Sequence, residues 1–184
     1  MKKFILIAAA AMLTLSASAQ NLKFAHVNYS ELVQLCPEAD QARAKLNAQT
    51  KEFDETYQGM VSEFNTKYEQ YMQKSSTWTA SVKESKEKEL TEIQQRINEF
   101  QQTAQTELSQ SQTELMAPIQ QKVMDTITKL AKDGGYVYVF DQPSLVYVNS
   151  SLSTDLTPAA RTALGIKPGR TLESLQKELA AQQQ

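Results

Sequence analysis

Between residues 38 and 75 the apolar side chains recur at intervals that are mostly three, four or seven residues. Polar and charged residues fill almost all the positions between them. This spacing predicts an α-helix whose apolar stripe is narrow, and a stripe this thin suits one neighbouring helix better than a globular core. The stripe consists of Ala39, Ala42, Leu46, Phe53, Tyr57, Met60, Phe64, Tyr68 and Tyr71.

A second apolar stripe follows a break at residues 75–81, where hydroxyl and β-branched residues surround Trp78. The Gly134-Gly135 pair is typical of a helix end. We therefore predict an antiparallel hairpin of two helices over residues 37–132, about 55 and 75 Å long at 1.5 Å per residue. Pro118 either bends the second helix or begins a separate one. The second stripe consists of Leu90, Ile93, Ile97, Phe100, Ala104, Leu108, Leu115, Ile119, Val123, Ile127 and Leu130.

The flanking segments 22–28, 136–140 and 145–148 are β-branched and aromatic, which predicts three strands and an α+β fold. We expect the last two to form a hairpin and the first to join them, because a helical hairpin brings its two ends together. A sheet of three short strands is marginal alone, and segment 136–140 is apolar on both faces. The sequence therefore predicts self-association through this body. The residues expected there are Phe24, Val27, Tyr136, Val137, Val139, Phe140, Val146 and Val148.

The remainder of the chain predicts short helices. Thr157 is expected to cap one helix, with Pro158 as its first residue and Gly165 as its stop. Residues 171–181 predict another. The expected division is a β body from residues 20–36 and 133–164, the hairpin at 37–132, and a C-terminal extension at 165–184.

The amino terminus is typical of a cleaved secretory signal. Lys2 and Lys3 precede an apolar run, and small residues end at Ala19. The run of about a dozen residues is too short to span a bilayer of roughly 30 Å. We expect cleavage after Ala19 and a soluble exported product, with no cysteine placed to carry a lipid anchor.

Charge and composition argue against two function classes, nucleic-acid binding and catalysis. The net charge of −2 does not favour nucleic acid as a partner. His26 is the only histidine and Cys36 the only cysteine, so neither a zinc site nor an internal disulfide is expected. Gly134-Gly135 lacks the lysine of a phosphate loop. We predict no catalytic site, metal or cofactor. We interpret His26 as a packed residue and Cys36 as a packed thiol, the alternative for Cys36 being a regulatory or intermolecular one.

Three short motifs carry a resemblance to a known family. Residues 24–32 read as an apolar strand that ends in Val27-Asn28 before a short helix. Residues 135–141 and 146–157 are similar to a closing hairpin that leads through Asn149-Ser150-Ser151 into a final helix. In this order and spacing the motifs resemble the Skp/OmpH family of periplasmic proteins, and the resemblance extends to about Leu164.

The resemblance implies a homotrimer whose three helical hairpins, the tentacles, surround a cavity for unfolded outer-membrane proteins. It implies an ATP-independent holdase in the periplasm. A periplasmic coiled-coil adaptor or structural envelope protein is the alternative. The better-known members are strongly basic, whereas residues 38–132 here carry 15 acidic and 12 basic residues. Lipopolysaccharide binding is therefore not carried over.

The candidate client-binding residues are methionines and aromatic residues of the hairpin, since thioethers and rings accept varied apolar partners. Trp78 lies at the expected tip. It either closes the apolar seam between the helices or contacts a client or a membrane surface. The candidates are Tyr57, Met60, Tyr68, Tyr71, Met72 and Trp78.

Overall fold

The computed structural model describes residues 22–182, so the predicted signal and its cleavage after Ala19 lie outside the described residues. Two short 3-10 helices, Ser75–Thr77 and Gln142–Ser144, lie between the longer elements. The strands are β1 (Lys23–Val27), β2 (Tyr136–Asp141) and β3 (Ser153–Asp155). The helices are α1 (Tyr29–Leu35), α2 (Pro37–Lys74), α3 (Ala80–Gly134), α4 (Thr157–Ala163) and α5 (Leu172–Gln182).

Helices α2 and α3 form the predicted antiparallel hairpin, which we call the tentacle. Near its root Glu38 pairs with Lys122, and near its tip Lys67 pairs with Glu89. Residue numbers therefore rise along one helix as they fall along its neighbour. Ile93, with 2% of its surface exposed, lies in the seam between the helices.

The ends of the two long helices follow from local sequence. Pro37 is the first residue of α2, after Cys36 has left helical geometry at φ −56° and ψ 136°. Gly135 ends α3 in the left-handed conformation at φ 68°, and its N–H bonds the carbonyls of Ala131 and Lys132. The end of α3 at Gly134 confirms the predicted helix stop.

Pro118 lies inside α3, which runs unbroken from Ala80 to Gly134, so the alternative of a separate helix beginning at Pro118 is wrong. A proline lacks the amide hydrogen of its own position. Buried side chains on the next turns, Ile119 and Val123, keep the helix packed against the body.

The sheet has the order β2-β1-β3, with both pairings parallel. The predicted pairing of the first and second strands is confirmed, and His26 lies opposite Phe140. The prediction of a strand at 145–148 is wrong, and Val146 is fully exposed. A parallel third strand requires the chain to return first to the other end of the sheet. Residues 142–152 make that return, and β3 follows them.

The core lies between one face of the sheet and the surrounding helices. It includes Ala25 and Val27 of β1, Leu32 of α1 and Val123 of α3. His26 is also buried, and its Nδ1 lies 2.9 Å from the hydroxyl of Ser153. Within residues 22–182, no helix combines the length and the apolar character that crossing a bilayer requires.

Thr157 does not cap α4 as predicted but is its first residue. Its hydroxyl accepts a hydrogen bond of 3.0 Å from the N–H of Asn28, because that amide at the end of β1 points towards the start of α4. The predicted stop is confirmed, since Gly165 has φ 71°. The helix predicted at 171–181 is confirmed as α5.

At the root, Cys36 is fully buried and its thiol donates a 2.8 Å hydrogen bond to Glu38. Burial, reinforced by that bond, raises the pKa of Cys36 to about 11. A thiol held protonated is a poor nucleophile, which favours the packed interpretation of Cys36. The pKa of Glu38 is lowered to about 2 by hydrogen bonds from Cys36 and Lys122.

Ile93→Ala should destabilise the tentacle by about 2–4 kcal/mol, because it leaves a cavity in a seam that has little else to fill it. Val82 is 41% exposed, and Val82→Ala should change the free energy of unfolding by less than about 0.5 kcal/mol. Urea unfolding followed by helical circular dichroism measures both variants. Equal effects of the two substitutions would contradict a packed seam.

Glu38→Gln should lower the free energy of unfolding at pH 7 by about 0.5–1 kcal/mol, since the ion pair with Lys122 is partly exposed. The folded pKa of Glu38, about 2, is below the ordinary 4.5. Its carboxylate therefore contributes its full stabilisation of the fold above pH 4.5 and progressively less as the pH falls from 4.5 towards 2. The difference between variant and wild type should therefore shrink across that range. Glu69→Gln, an exposed α2 residue outside the ion pairs found in residues 22–182, is the control. A difference independent of pH would exclude this role of Glu38.

Candidate functional site

The outer face of the sheet carries aromatic side chains that no part of residues 22–182 fully covers. The rings of Phe24 and Tyr138 stack with centroids 6.4 Å apart and planes within 4° of parallel. The ring centroid of Phe140 lies 6.0 Å from that of Tyr138, on the same face. Tyr138 is 59% exposed and Phe140 is 43% exposed. We call Phe24, Tyr138 and Phe140 the aromatic face.

The returning segment 145–152 lies beside the aromatic face and adds to its apolar surface. Together they line a shallow cleft that includes Phe24, Phe140 and the half-buried Leu145 and Val148. Tyr147 and Leu152 line the same cleft and are largely exposed. Continuous apolar surface of this kind is typical of a contact with another molecule.

The two outer strands also have free edges in the sheet described here. β1 is central, and β2 and β3 each pair with it on one side only. Their outer edges therefore carry backbone N–H and C=O groups that a neighbouring chain can bind. The edges and the aromatic face lie on the same body.

The structure places the eight predicted body residues in different environments. Val137, Phe140 and Val146 are exposed, whereas Phe24, Tyr136, Val139 and Val148 are half-buried. Val27 is 3% exposed and belongs to the core of its own chain, so it is not free for another copy. The sequence prediction missed the exposed Leu22, Tyr138, Tyr147 and Leu152. Strand alternation was the available signal for Tyr138, two residues from both Tyr136 and Phe140.

The tentacle presents two of its six candidate residues openly. Met72 is 62% exposed and Tyr68 is 46% exposed. The other four candidates are half-buried along the seam or at its tip. They are Tyr57, Met60, Tyr71 and Trp78.

Trp78 closes the seam at the tip. Its ring meets Tyr71 edge to face, with centroids 5.9 Å apart and planes at 63°. The phenol of Tyr71 in turn donates a hydrogen bond to Glu87, which raises the pKa of Tyr71. The structure therefore favours the interpretation of Trp78 as the residue that closes the seam.

Ion pairs across the seam hold charged groups close to the apolar stripe. Glu89 accepts hydrogen bonds from Lys67 on α2 and Lys86 on its own helix, and these bonds lower its pKa to about 2. Arg96 lies 3.4 Å from Glu63 across the same seam. Within residues 22–182 no group of three or more histidine, cysteine, aspartate or glutamate side chains is placed to hold a metal.

Comparison with known proteins agrees with this architecture. The chain is 28% identical over 152 residues to the chaperone protein Skp of Yersinia enterocolitica, covering 82% of this chain and 93% of that protein. Its fold superposes on that of an OmpH-like protein of Caulobacter crescentus with a TM-score of 0.69 at 14% identity, covering 78% of this chain and 83% of the other. Residues 23–164 match the family described as outer membrane protein (OmpH-like). Since that match spans well over half of the sequence, the chain belongs to the OmpH-like family.

Proposed function

We propose that the chain is a periplasmic chaperone that holds unfolded outer-membrane proteins without ATP. The observation that carries the proposal is the tentacle, whose helices of 38 and 55 residues bury only a thin seam and leave Tyr68 and Met72 exposed. A rod with scattered apolar side chains offers many contact points and no enclosed pocket for a small substrate. The relationship to a chaperone named Skp supports this role.

Self-association of the body is the second part of the proposal. Copies of the chain cover the aromatic face and pair with the free edges of β2 and β3. Three copies, the number that the family resemblance implies, place three tentacles around a shared cavity. The support is that Tyr138 and Tyr147 are too exposed for a body of this size to leave in water without a partner.

Capture then depends on many weak contacts. When one tentacle contact opens, the others keep the client near it, so the effective local concentration remains high. The chaperone binds the unfolded client and draws it away from aggregation by mass action. No step consumes a nucleotide, and release follows when the client gains a more stable fold elsewhere.

The wild-type chain should suppress light scattering when an unfolded β-barrel protein is diluted out of urea. The double variant Tyr68→Ser, Met72→Ser should bind the client about three- to tenfold more weakly, because it removes two exposed apolar contacts. Gln73→Ser, at an exposed polar site on the same helix, is the matched control.

A wild-type protein that assembles but leaves the scattering unchanged would contradict the holdase. That result would favour the coiled-coil adaptor or structural envelope protein. Equal weakening by Gln73→Ser would show that Tyr68 and Met72 are not specific contacts.

Tyr138→Asp combined with Phe140→Asp should convert a trimer into monomers at micromolar concentration, because it places charges on the aromatic face that copies must bury. Val82→Asp adds one charge at an exposed position on the tentacle and should leave the trimer intact. Native mass spectrometry distinguishes the two outcomes. A wild-type monomer, or a double variant that remains a trimer, would refute assembly through this face.

A further inference from the structure

The C-terminal segment, residues 165–182, lies beyond the family match at 23–164 yet packs into the molecule. Ile166 is 6% exposed and Leu175 is 4% exposed, and both belong to the same core cluster as Ala39 at the start of α2. Helix α5 also contacts α1. The segment is therefore an integrated part of the body and not a loose tail.

Arg170 connects this segment to the tentacle. Its side chain is 17% exposed, and one terminal nitrogen lies 2.6 Å from the carboxylate of Asp40 on α2. The carbonyl of Arg170 accepts a hydrogen bond from Arg161 of α4, and Arg161 also pairs with Glu31 of α1. This network joins α1, α2 and α4 through the C-terminal segment.

The chain passes between the body and the tentacle at two places, and regular helical structure is weakened at each. The first is Cys36, the single non-helical residue between α1 and α2. The second is Pro118, where α3 lacks an amide hydrogen bond and bends more readily. A cleft lined by Ala42 and Lys45 on one side and Pro118 on the other shows that the proline faces the first turns of α2. Asp40, which Arg170 binds, belongs to the same turns.

A small rotation at this level produces a large movement at the tip. The part of α3 from Ala80 to Pro118 is about 57 Å long at 1.5 Å per residue, so a rotation of about 10° moves the tip by about 10 Å. The angle of the tentacle to the body therefore depends on whatever restrains α2 beside Pro118.

We propose that residues 165–182 form a strap that ties the body to α2 beside Pro118 and restricts the swing of the tentacle. Arg170 supplies the polar link to Asp40, and Ile166 and Leu175 anchor the strap in the core. The strap concerns the conformational freedom of one chain. It holds or fails independently of client binding, because its test measures distances and amide exchange.

The test compares Arg170→Gln with wild type by pulsed electron–electron double resonance, which measures the distance between two spin labels. Spin labels on Ser76→Cys at the tip and Ala159→Cys on α4 report the distance between tentacle and body, and both sites are exposed. Mixing with excess unlabelled chain restricts the signal to pairs of labels within one chain. Cys36 is fully buried, so the labelling reagent does not reach its thiol. The variant should show a broader distance distribution. Lys167→Gln, an exposed strap residue outside the ion pairs found in residues 22–182, should leave it unchanged.

Two further measurements locate the effect. In Arg170→Gln, amide hydrogen exchange of residues 38–47 should become about tenfold faster, the factor expected when a hydrogen bond to a charged group is lost. Exchange in β1 should not change. Adding Pro118→Ala to Arg170→Gln restores an amide hydrogen to α3 and should narrow the distance distribution again.

Several results would overturn the strap. An unchanged distance distribution in Arg170→Gln, with faster exchange confined to residues 172–182, would show that the segment rests on the body without restraining the tentacle. Faster exchange throughout, β1 included, would show that the segment is part of the folding core. A broad distribution that persists after Pro118→Ala would place the flexible point elsewhere.

Discussion

The seam between α2 and α3 is the interaction on which the rest of the molecule depends. It is narrow, and the contacts that fix its register include the edge-to-face pair of Phe53 and Phe100 and the ion pair of Lys67 with Glu89. This register returns the chain to the body, so that β2 pairs in parallel with β1, more than one hundred residues earlier. Closing such a separation with flexible chain would cost considerable entropy. The hairpin, built from local helical contacts, removes most of that cost.

Much of this architecture could be predicted from sequence because it depends on local periodicity. The two apolar stripes, the break around Trp78 and Gly135 sufficed for the tentacle. The strand predicted at 145–148 failed because β-branched and aromatic composition measures local preference, whereas the third strand is chosen by topology. The actual third strand, Ser153–Asp155, is short and its residues are polar, so the local sequence gives no signal for a strand. The contact of Arg170 with Asp40 spans 130 residues and is likewise invisible in a pattern.

The candidate surfaces show the same division. Strand alternation separates Ala25 and Val27, which face the helices, from Phe24 and Tyr138, which face outward. Composition alone does not separate them, so the sequence prediction includes Val27 among the body residues and omits Tyr138. The body thus exposes a continuous apolar face, on which the proposed self-association rests, while the tentacle exposes isolated apolar residues, on which the proposed client binding rests. The proposed strap lies between these two regions and connects their movements.

Carbodiimide cross-linking followed by peptide mass spectrometry tests most directly whether one chain folds back on itself in this register. The reagent joins a carboxylate to an amine only when the two are in contact, so a mixture of unlabelled and 15N-labelled chains shows whether both partners belong to one molecule. The structure predicts Glu38–Lys122 and Lys67–Glu89 cross-links in peptides of uniform isotope content. Their absence, or their appearance only between labelled and unlabelled peptides, would contradict the hairpin and the body built on it.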